Sequence, residues 1–512
     1  MGGLLLFVSG CGQSPSTEEA SPNQPKNVVR STAVIDNDQH LVAQTSAQVQ
    51  PTADSTDPDT SPTPYVPPMP IPTPAGELYS YHTVTNGESL TYLASVYDTE
   101  IETLVKMNNL SGPSAIIQID QVLRVPLDRD KTSPDTILLP DSEVVYSPGY
   151  VDFDIAEFVK SQDGYLVQYS EWVDNQALSG AEIVELVAKQ YSVGPRLLLA
   201  LLEYYGGWVT NQTLTEHQIQ AMLGEHNPRG GSLYLAMAFT ANRINAGYYG
   251  YKRDGFWVFQ LPDYSQAVTP GGLNAGTVGV QNILSLHSDW DTWQEELKPD
   301  GFMATYRQLF GDPAQYEFRP VVPKNLTQPE LSLPWQKGTS FYFTSGPHPG
   351  FVDGSAWAAI DFGPPDVLGS CFYSAEPVTA AADGVVVMAR NGEVYLDLDG
   401  DGNIQTGWVL FYLHAVADAD APVSEGQHLK QGDIIGYASC EGGLSNSSHL
   451  HFARRYNGEW MAAGGPVPMN LSGWEVQDNL VPYNGKLVKN DEVREACECW
   501  EPDMNLIVNP GD

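Results

Sequence analysis

The pattern of residue types changes sharply along these 512 residues, so the chain cannot fold around a single core. Residues 12–78 are rich in Ser, Thr and Pro. Residues 180–310 carry apolar side chains at helical spacing, and residues from Ser340 onwards form short β-rich runs separated by Gly and Pro. We therefore predict a multidomain α+β protein.

The N-terminal segment is predicted to be a disordered tether over residues 12–78. It is poor in large apolar side chains, and its clearest part begins Thr-Ser-Pro-Thr-Pro at Thr60. Such a segment cannot bury enough apolar surface to offset the loss of chain entropy.

Residues 1–11 contain a short apolar stretch followed by Ser9, Gly10 and Cys11. This resembles a bacterial lipoprotein signal, which implies that Cys11 is lipidated and anchors the protein to the cell membrane from outside the cytoplasm. No Lys or Arg precedes the stretch, and it is shorter than usual. A start codon assigned too far downstream would account for both departures; the alternative is an ordinary N-terminal segment with an unrelated Cys.

Charge excludes some classes of partner. Lys and Arg number 25 against 63 Asp and Glu, which gives a formal net charge of −38. So acidic a surface repels nucleic acid and anionic lipid headgroups. Five cysteines are too few for a disulfide scaffold, and no apolar run reaches the roughly 20 residues needed to span a bilayer.

Residues 79–127 are predicted to form a strand, two helices and a closing strand. The residues that carry this pattern, Tyr81, Gly87, Leu90, Asn108 and Pro126, resemble those of a LysM module. The resemblance implies a βααβ fold that binds glycans containing N-acetylglucosamine, such as peptidoglycan. The alternative is a small domain of the same fold that has lost binding.

Residues 128–178 are predicted to be a connector and residues 179–325 a mainly helical domain of unknown role. Its helices are expected at 181–191, 196–205, 232–246, 274–288 and parts of 290–310. Residues 197–202 are apolar on all sides, as in a central helix. Glu203 ends this run and faintly resembles the catalytic acid of lytic transglycosylases, but Tyr204 replaces the usual Ser. A helix-end carboxylate without a catalytic role is the favoured interpretation.

Residues 335–475 are predicted to form an antiparallel all-β domain, with residues 476–512 as a C-terminal tail. Strands are expected at 341–344, 378–380, 384–389, 394–398, 408–414 and 450–455.

Motifs in this β domain resemble the lysostaphin and LytM type of zinc endopeptidase, which cuts peptide bonds in peptidoglycan. They are Ala-Ala-Ile-Asp ending at Asp361, Asp383-Gly384, Tyr-Leu-His ending at His414, Gly432-Asp-Ile-Ile-Gly and Ser448-His-Leu-His ending at His451. One position departs from the commonest form, because Trp357 stands where the first ligand His is usual. His348 instead matches the beta-lytic branch, and Trp357 is expected to be a wall of the site or a core aromatic.

The resemblance implies that His348, Asp361 and His451 hold Zn²⁺, that His449 is the general base, and that His414 stabilises the oxyanion. On a strand, His449 and His451 point to the same face because side chains alternate. We therefore predict a peptidoglycan-directed, extracytoplasmic zinc metalloendopeptidase. The alternative is a non-catalytic wall-binding protein or hydrolase activator with a degenerate domain.

Two further features lie within this domain. Asp397, Asp399 and Asp401 resemble the first half of a Ca²⁺-binding loop, but Trp408 occupies the place of the closing Glu; an acidic turn is the alternative. Cys371 and Cys440 flank the predicted site, where a disulfide would pin the loop before His449. The spacing of Cys497 and Cys499 leaves their pairing open.

Overall fold

A computed structural model describes residues 79–511, apart from 120, 129, 230, 368 and 417–421. The predicted lipoprotein signal with Cys11 and the predicted tether at 12–78 lie outside the described residues. In the part that is described, no helix combines the length and hydropathy that a membrane crossing requires.

The first folded unit has the predicted βααβ order. Two antiparallel strands flank two helices; in chain order the elements are Tyr79–Thr83, Leu90–Val96, Ile101–Met107 and Val122–Pro126. Ser89 caps the first helix, because its side chain accepts a hydrogen bond from the backbone N–H of Tyr92. The helices cover one face of the two-stranded sheet with Leu93 and Leu104, which are fully buried.

The middle of the chain is mainly helical, as predicted. Residues 197–202 are fully buried within one helix, and the helix before it begins with a reciprocal capping box between Ser179 and Glu182. Two short hairpins are formed by Ser170–Val173 with Gln176–Ser179 and by Val258–Gln260 with Gln266–Val268. The α-helices of this region are Asp141–Val144, Ile155–Gln162, Tyr165–Gln168, Gly180–Tyr191, Pro195–Gly206, Glu216–Gln220, Leu233–Asp254, Ala275–Ser285, Trp290–Glu296 and Phe302–Phe310.

Residues 128–178, predicted to be a connector, contribute to this helical core. Val144, Tyr150 and Val159 are buried in one cluster with the central helix. The buried carboxylate of Glu143 pairs with Arg196 at 2.6 Å. The helices in this region are only four to eight residues long, too short for an apolar period to emerge from the sequence.

The C-terminal part is built on a nine-stranded antiparallel sheet. Eight strands form its path, in the spatial order His428–Leu429, Gly384–Arg390, Glu393–Asp397, Trp408–Leu413, Leu450–Tyr456, Ala359–Gly363, Ser340–His348 and Leu506–Val508. The short strand Glu459–Trp460 pairs beside Leu450–Tyr456. A three-stranded sheet is formed by Ala415–Val416, Ile434–Ala438 and Pro377–Thr379.

Residues beyond 475, which the sequence set apart as a tail, belong to the same fold. Lys486–Lys489 and Glu492–Glu495 complete a four-stranded sheet with Asn470–Leu471 and Trp474–Gln477. After the helix Pro502–Asn505, the strand Leu506–Val508 pairs with the edge strand of the main sheet. The strands beyond residue 485 have only three or four residues each, and Leu506–Val508 has a partner more than 150 positions away, so the local pattern did not predict them.

The two faces of the main sheet have different environments. Leu410 and Tyr412 point to one face, into a core formed within the C-terminal part. Phe411 and Ala453 point to the other face, whose core is continuous with that of the helical domain. The helical domain therefore covers part of the second face and leaves the rest open.

Candidate metal centre

Three side chains meet on the second face of the main sheet. His348 Nε2 lies 3.2 Å from Asp361 Oδ1 and 3.0 Å from His451 Nδ1, and His451 Nδ1 lies 3.1 Å from Asp361 Oδ1. All three residues are buried. Three ligand atoms thus form a nearly equilateral triangle.

Strand pairing explains how residues up to 103 positions apart come together. His451 lies directly opposite Asp361 in neighbouring antiparallel strands, so both side chains point to the same face. His348 ends the next strand, after irregularities in pairing that follow Phe343 and Ser345. These irregularities shift the alternation of the strand and turn the imidazole towards the other two ligands.

Backbone carbonyls fix the orientation of both rings. His348 Nδ1 lies 2.8 Å from the Gly346 carbonyl oxygen, and His451 Nε2 lies 2.9 Å from that of Gly350. Each ring therefore donates its N–H to a carbonyl and presents the lone pair of the other nitrogen to the triangle.

The triangle fits a metal ion. A tetrahedral ion with bonds of about 2.0–2.2 Å requires donor atoms about 3.3–3.6 Å apart, close to the separations here. Asp361 Oδ1 is buried and lacks a hydrogen bond of good geometry. Burial alone would raise the pKa of Asp361, but the facing imidazoles of His348 and His449 hold it well below its usual value, as a carboxylate ligand requires.

Two further histidines adjoin the triangle. His449 Nε2 lies 3.7 Å from Asp361 Oδ1, and the ring centroids of His414 and His449 are 4.5 Å apart. His414 Nδ1 lies 2.6 Å from the carbonyl oxygen of Glu441, and His449 Nδ1 lies 2.8 Å from that of Ser447. Both rings therefore keep Nε2 free as a proton acceptor.

The triangle lies in a cleft of about 780 Å³. One side comes from the segment after 475, where the ring of Tyr483 stacks on His348 with centroids 4.8 Å apart. Another part of the lining comes from the helical domain, through Asp174, Gln190 and Tyr234. No local pattern in the sequence predicts these residues, because they enter the cleft only through long-range packing.

Trp357, which occupies the usual place of the first ligand, is not in the triangle. Its ring lies against the guanidinium of Arg253 in the helical domain, 4.7 Å from ring centroid to Cζ. Trp357 is only partly buried and does not line the cleft. Trp357 therefore belongs to the contact between the β domain and the helical domain.

Glu203 lies outside the cleft and has a structural environment. Its carboxylate accepts hydrogen bonds from the backbone N–H groups of Val209 and Thr210, at 2.9 and 3.0 Å. It thereby stabilises the turn that follows the central helix.

The sulfur atoms of Cys371 and Cys440 are bonded at 2.06 Å. Close by, the backbone N–H of Ser448 donates to the Ser370 carbonyl. The segment before His449 is thus tied to the 370–372 loop at two points. Cys497 and Cys499 are also bonded to each other.

Asp397, Asp399 and Asp401 place one carboxylate oxygen each within 4.8 Å of one another. Their main partners lie within the loop itself: Gly402 N donates to Asp397, and the Thr406 hydroxyl donates to Asp401. A Ca²⁺ site and an acidic turn both stay predictions for this segment.

Three family models match the chain. The LysM domain matches residues 82–126, the model described as LasA, N-terminal domain, matches residues 137–325, and Peptidase family M23 matches residues 370–463. The second match begins within the predicted connector, in agreement with the helical core. The third contains His414, His449 and His451 and begins after His348 and Asp361.

Similar proteins are found by sequence and by structure. Protease LasA of Pseudomonas aeruginosa is 27% identical over 332 residues, covering 57% of this chain and 70% of its own length. Pseudoalterin, described as a novel M23 metalloprotease from deep-sea, is 20% identical over 33% of this chain and 96% of its own, with a TM-score of 0.28. The catalytic domain of lysostaphin from Staphylococcus simulans is 26% identical over 24% of this chain and 88% of its own, with a TM-score of 0.18. The chain thus contains a LysM domain, a LasA-like N-terminal domain and a peptidase family M23 domain, and it is homologous to protease LasA and to lysostaphin-type M23 metalloproteases.

Proposed function

We propose that this protein is a zinc endopeptidase that hydrolyses peptide bonds in the stem or cross-bridge of peptidoglycan. The observation that carries the proposal is the triangle of His348 Nε2, Asp361 Oδ1 and His451 Nδ1, with donor separations of 3.0–3.2 Å. Two imidazoles and one carboxylate, with a cleft on the open side, are the ligand set of catalytic zinc.

The three ligands would hold Zn²⁺ through these atoms. When bound, zinc polarises a substrate carbonyl and lowers the pKa of a water molecule to about 7. The carbonyls of Gly346 and Gly350 keep both imidazoles in the tautomer that binds metal.

His449 is the proposed general base. In the neutral tautomer whose Nδ1–H donates to the Ser447 carbonyl, Nε2 carries the lone pair, and this atom lies 3.7 Å from Asp361 Oδ1. It can therefore take a proton from the attacking water and return that proton to the leaving amine.

His414 has a different proposed role. Burial holds its pKa well below the ordinary value, so it is neutral in the resting state. While Nδ1–H is donated to Glu441, only a protonated Nε2 could donate to an oxyanion. We therefore assign oxyanion stabilisation to His414 in its imidazolium form, with the second proton taken from solvent and favoured by the negative charge of the oxyanion.

The LysM domain would direct the enzyme to glycan strands. It contacts the helical domain through Tyr264, whose hydroxyl donates to Glu88 at 3.0 Å, and through Gln266, which donates to Ser80 at 2.6 Å. Peptidoglycan lies outside the cytoplasm, where the Cys371–Cys440 disulfide is stable. Membrane anchoring through Cys11 is a hypothesis from the sequence alone.

Mass spectrometry of muropeptides tests the proposal. Purified protein is incubated with peptidoglycan, with and without a zinc chelator. We expect new peptide termini that disappear with chelator and return when zinc is restored. Unchanged muropeptides, together with retained binding to the wall, would favour a non-catalytic wall-binding protein or hydrolase activator.

A further inference from the structure

We propose that Glu393, at the contact between the sheet and the helical domain, forms a subsite that binds a primary ammonium group of the peptide substrate. This inference rests on the proposed endopeptidase function, since it places the subsite beside the candidate metal centre. Neither the family matches nor the sequence motifs assign a role to Glu393.

Glu393 lies in one row with the metal ligands. The pairing of Val394 with Tyr412 places Glu393 beside Leu413, Leu413 pairs with His451, and His451 pairs with Asp361. Residues directly opposite each other in antiparallel strands point to the same face. Strands lie about 4.8 Å apart, so Glu393 is about 10 Å from His451 along this row.

The carboxyl group of Glu393 has one satisfied and one unsatisfied oxygen. Glu393 is 2% exposed. Its Oε1 accepts a hydrogen bond from Gln190 Nε2 at 2.6 Å, and Gln190 Oε1 accepts one from the Tyr234 hydroxyl at 3.1 Å. Its Oε2 is buried without a hydrogen-bond partner. All three side chains line the cleft. A buried oxygen with no partner is unfavourable, so a ligand donor that reaches it gains binding energy.

The charge of the cleft indicates which donor fits. Five of the described residues that line it are Asp or Glu, and none of them is Lys or Arg. Asp361 belongs to the metal centre, whereas Asp174 is paired with Arg390 and Asp353 with Arg243 at 3.0 and 3.2 Å. The ionised form of Glu393 would bind a cationic donor more strongly than a neutral one, because charge-assisted hydrogen bonds are the stronger ones, and no Lys or Arg among the described lining residues competes for it.

The spacing limits where the substrate carries its charge. An extended peptide advances about 3.3 Å per residue, so 10 Å corresponds to about three residues. A long amine side chain, such as that of lysine, covers much of this distance from a residue next to the scissile bond. The ligand is therefore a peptide with a primary ammonium group within about three residues of the bond that is cut.

The protonation state of Glu393 supplies a second signature. Burial raises its pKa to about 8, despite the opposing effects of Gln190, Arg390 and Arg455. The other titratable groups that face it are Asp174, Tyr191, Tyr234 and Tyr395, and burial raises the pKa of each tyrosine far enough to keep it neutral. At pH 7 the free carboxyl holds a proton, which an ammonium ligand must displace. Binding should therefore strengthen as the pH rises from 7 to 9.

Binding of two matched peptides tests the subsite. The full-length protein, treated with chelator so that neither peptide is cut, is titrated with a lysine-containing peptide and its Nε-acetylated analogue. We expect the lysine peptide to bind at least about tenfold more tightly at pH 9, and the preference to shrink at pH 7. Equal affinities, or no binding of either peptide because the helical domain closes the cleft, would overturn the proposal.

Two variants assign the preference to this carboxyl group. Glu393→Gln keeps the shape and the bond from Gln190 but removes the charge, and it should abolish the preference. Glu459→Gln is the matched control, because Glu459 is buried at the same domain contact against Lys252 and Tyr248 but does not line the cleft. A preference that survives in Glu393→Gln would place the ammonium site elsewhere.

Calorimetry with wild-type protein covers the case in which Glu393→Gln does not fold. Titration in buffers of different ionisation enthalpy should show proton release at pH 7 with the lysine peptide and none with the acetylated peptide.

The zinc-loaded enzyme separates the subsite hypothesis from the endopeptidase hypothesis. Preferential binding without cleavage would reject the endopeptidase and keep the subsite, whereas cleavage of both peptides with equal affinity would reject the subsite alone.

Discussion

Two clusters of potential metal ligands lie in the same domain, and they differ in almost every physical respect. His348, Asp361 and His451 are buried, come from three strands and mix nitrogen with oxygen donors. Asp397, Asp399 and Asp401 come from one strand end and the loop that follows it, offer only carboxylates, and only Asp397 is buried. The distances between ligand atoms do not distinguish the two clusters, because both fall within 4.8 Å.

The environments of the carboxylates separate them. The facing imidazoles depress the pKa of Asp361 although the residue is buried, whereas burial raises the pKa of Asp397 to about 6. Asp361 is therefore held as a carboxylate beside imidazoles of other strands, whereas Asp397 accepts hydrogen bonds from its own loop. A metal centre is therefore indicated by mixed nitrogen and oxygen donors that separate strands hold in place. The proximity of potential ligands does not indicate one by itself.

The largest expected effect comes from removing a ligand of the first cluster. His451→Ala should release zinc and lower kcat/KM by more than about 10³-fold, because metal polarisation contributes several kcal/mol to the transition state. Metal content by elemental analysis and muropeptide release measure the two effects. Asp401→Asn is the matched change in the acidic loop and should alter neither. Zinc loss in Asp401→Asn would reverse the comparison.

The next effect separates proton transfer from metal binding. His449→Ala should lower kcat by about 10²–10⁴-fold while zinc content stays at the wild-type level. His428→Ala is the control, since His428 is an exposed histidine of the same domain. If zinc were lost together with activity, His449 would be a ligand and not the base.

A third change tests whether the first cluster depends on long-range support. Cys440→Ser removes the bond that closes 69 residues and should destabilise the domain by roughly 2–5 kcal/mol. Thermal unfolding followed by near-UV circular dichroism should show a lower Tm. Activity below the melting temperature should fall less than in His449→Ala. An unchanged Tm would mean that backbone contacts alone hold the loop before His449.

The smallest effect is expected in the acidic loop. Asp399→Asn should change the free energy of unfolding by about 0.5 kcal/mol or less, as is usual for changes away from a core or a buried network. Addition of millimolar Ca²⁺ should change neither the Tm of the wild type nor that of the variant. A rise in Tm in wild type alone would make the loop a cation site and remove the contrast with the metal centre.

The sequence predicted the elements that have a clear local pattern. A helix was expected at 196–205 because residues 197–202 are apolar on all sides, and the structure has it at Pro195–Gly206. The strand that carries His451 was expected from its β-rich run. The helices at 141–144 and 155–162 and the strands beyond 475 were missed. Elements this short carry little periodicity, and packing against distant segments stabilises them.

Motif order alone predicted the set of residues in the candidate centre, but not its geometry. The choice of His348 over Trp357 followed from family resemblance, and the structure places His348 in the triangle and Trp357 against Arg253. The roles of these residues remain proposals that the variants above address.

The sequence by itself determined the order of the domains, the histidines and carboxylate available for a metal, and the acidic character of the chain. Tertiary structure alone decided that the helical domain shares a core with the sheet face that carries those ligands. It also placed Tyr483 on His348, and Gln190 beside Glu393. The physical reason is that local pattern encodes which residues are buried, whereas the partners of a buried polar group are selected by packing between segments about 100 to 200 positions apart.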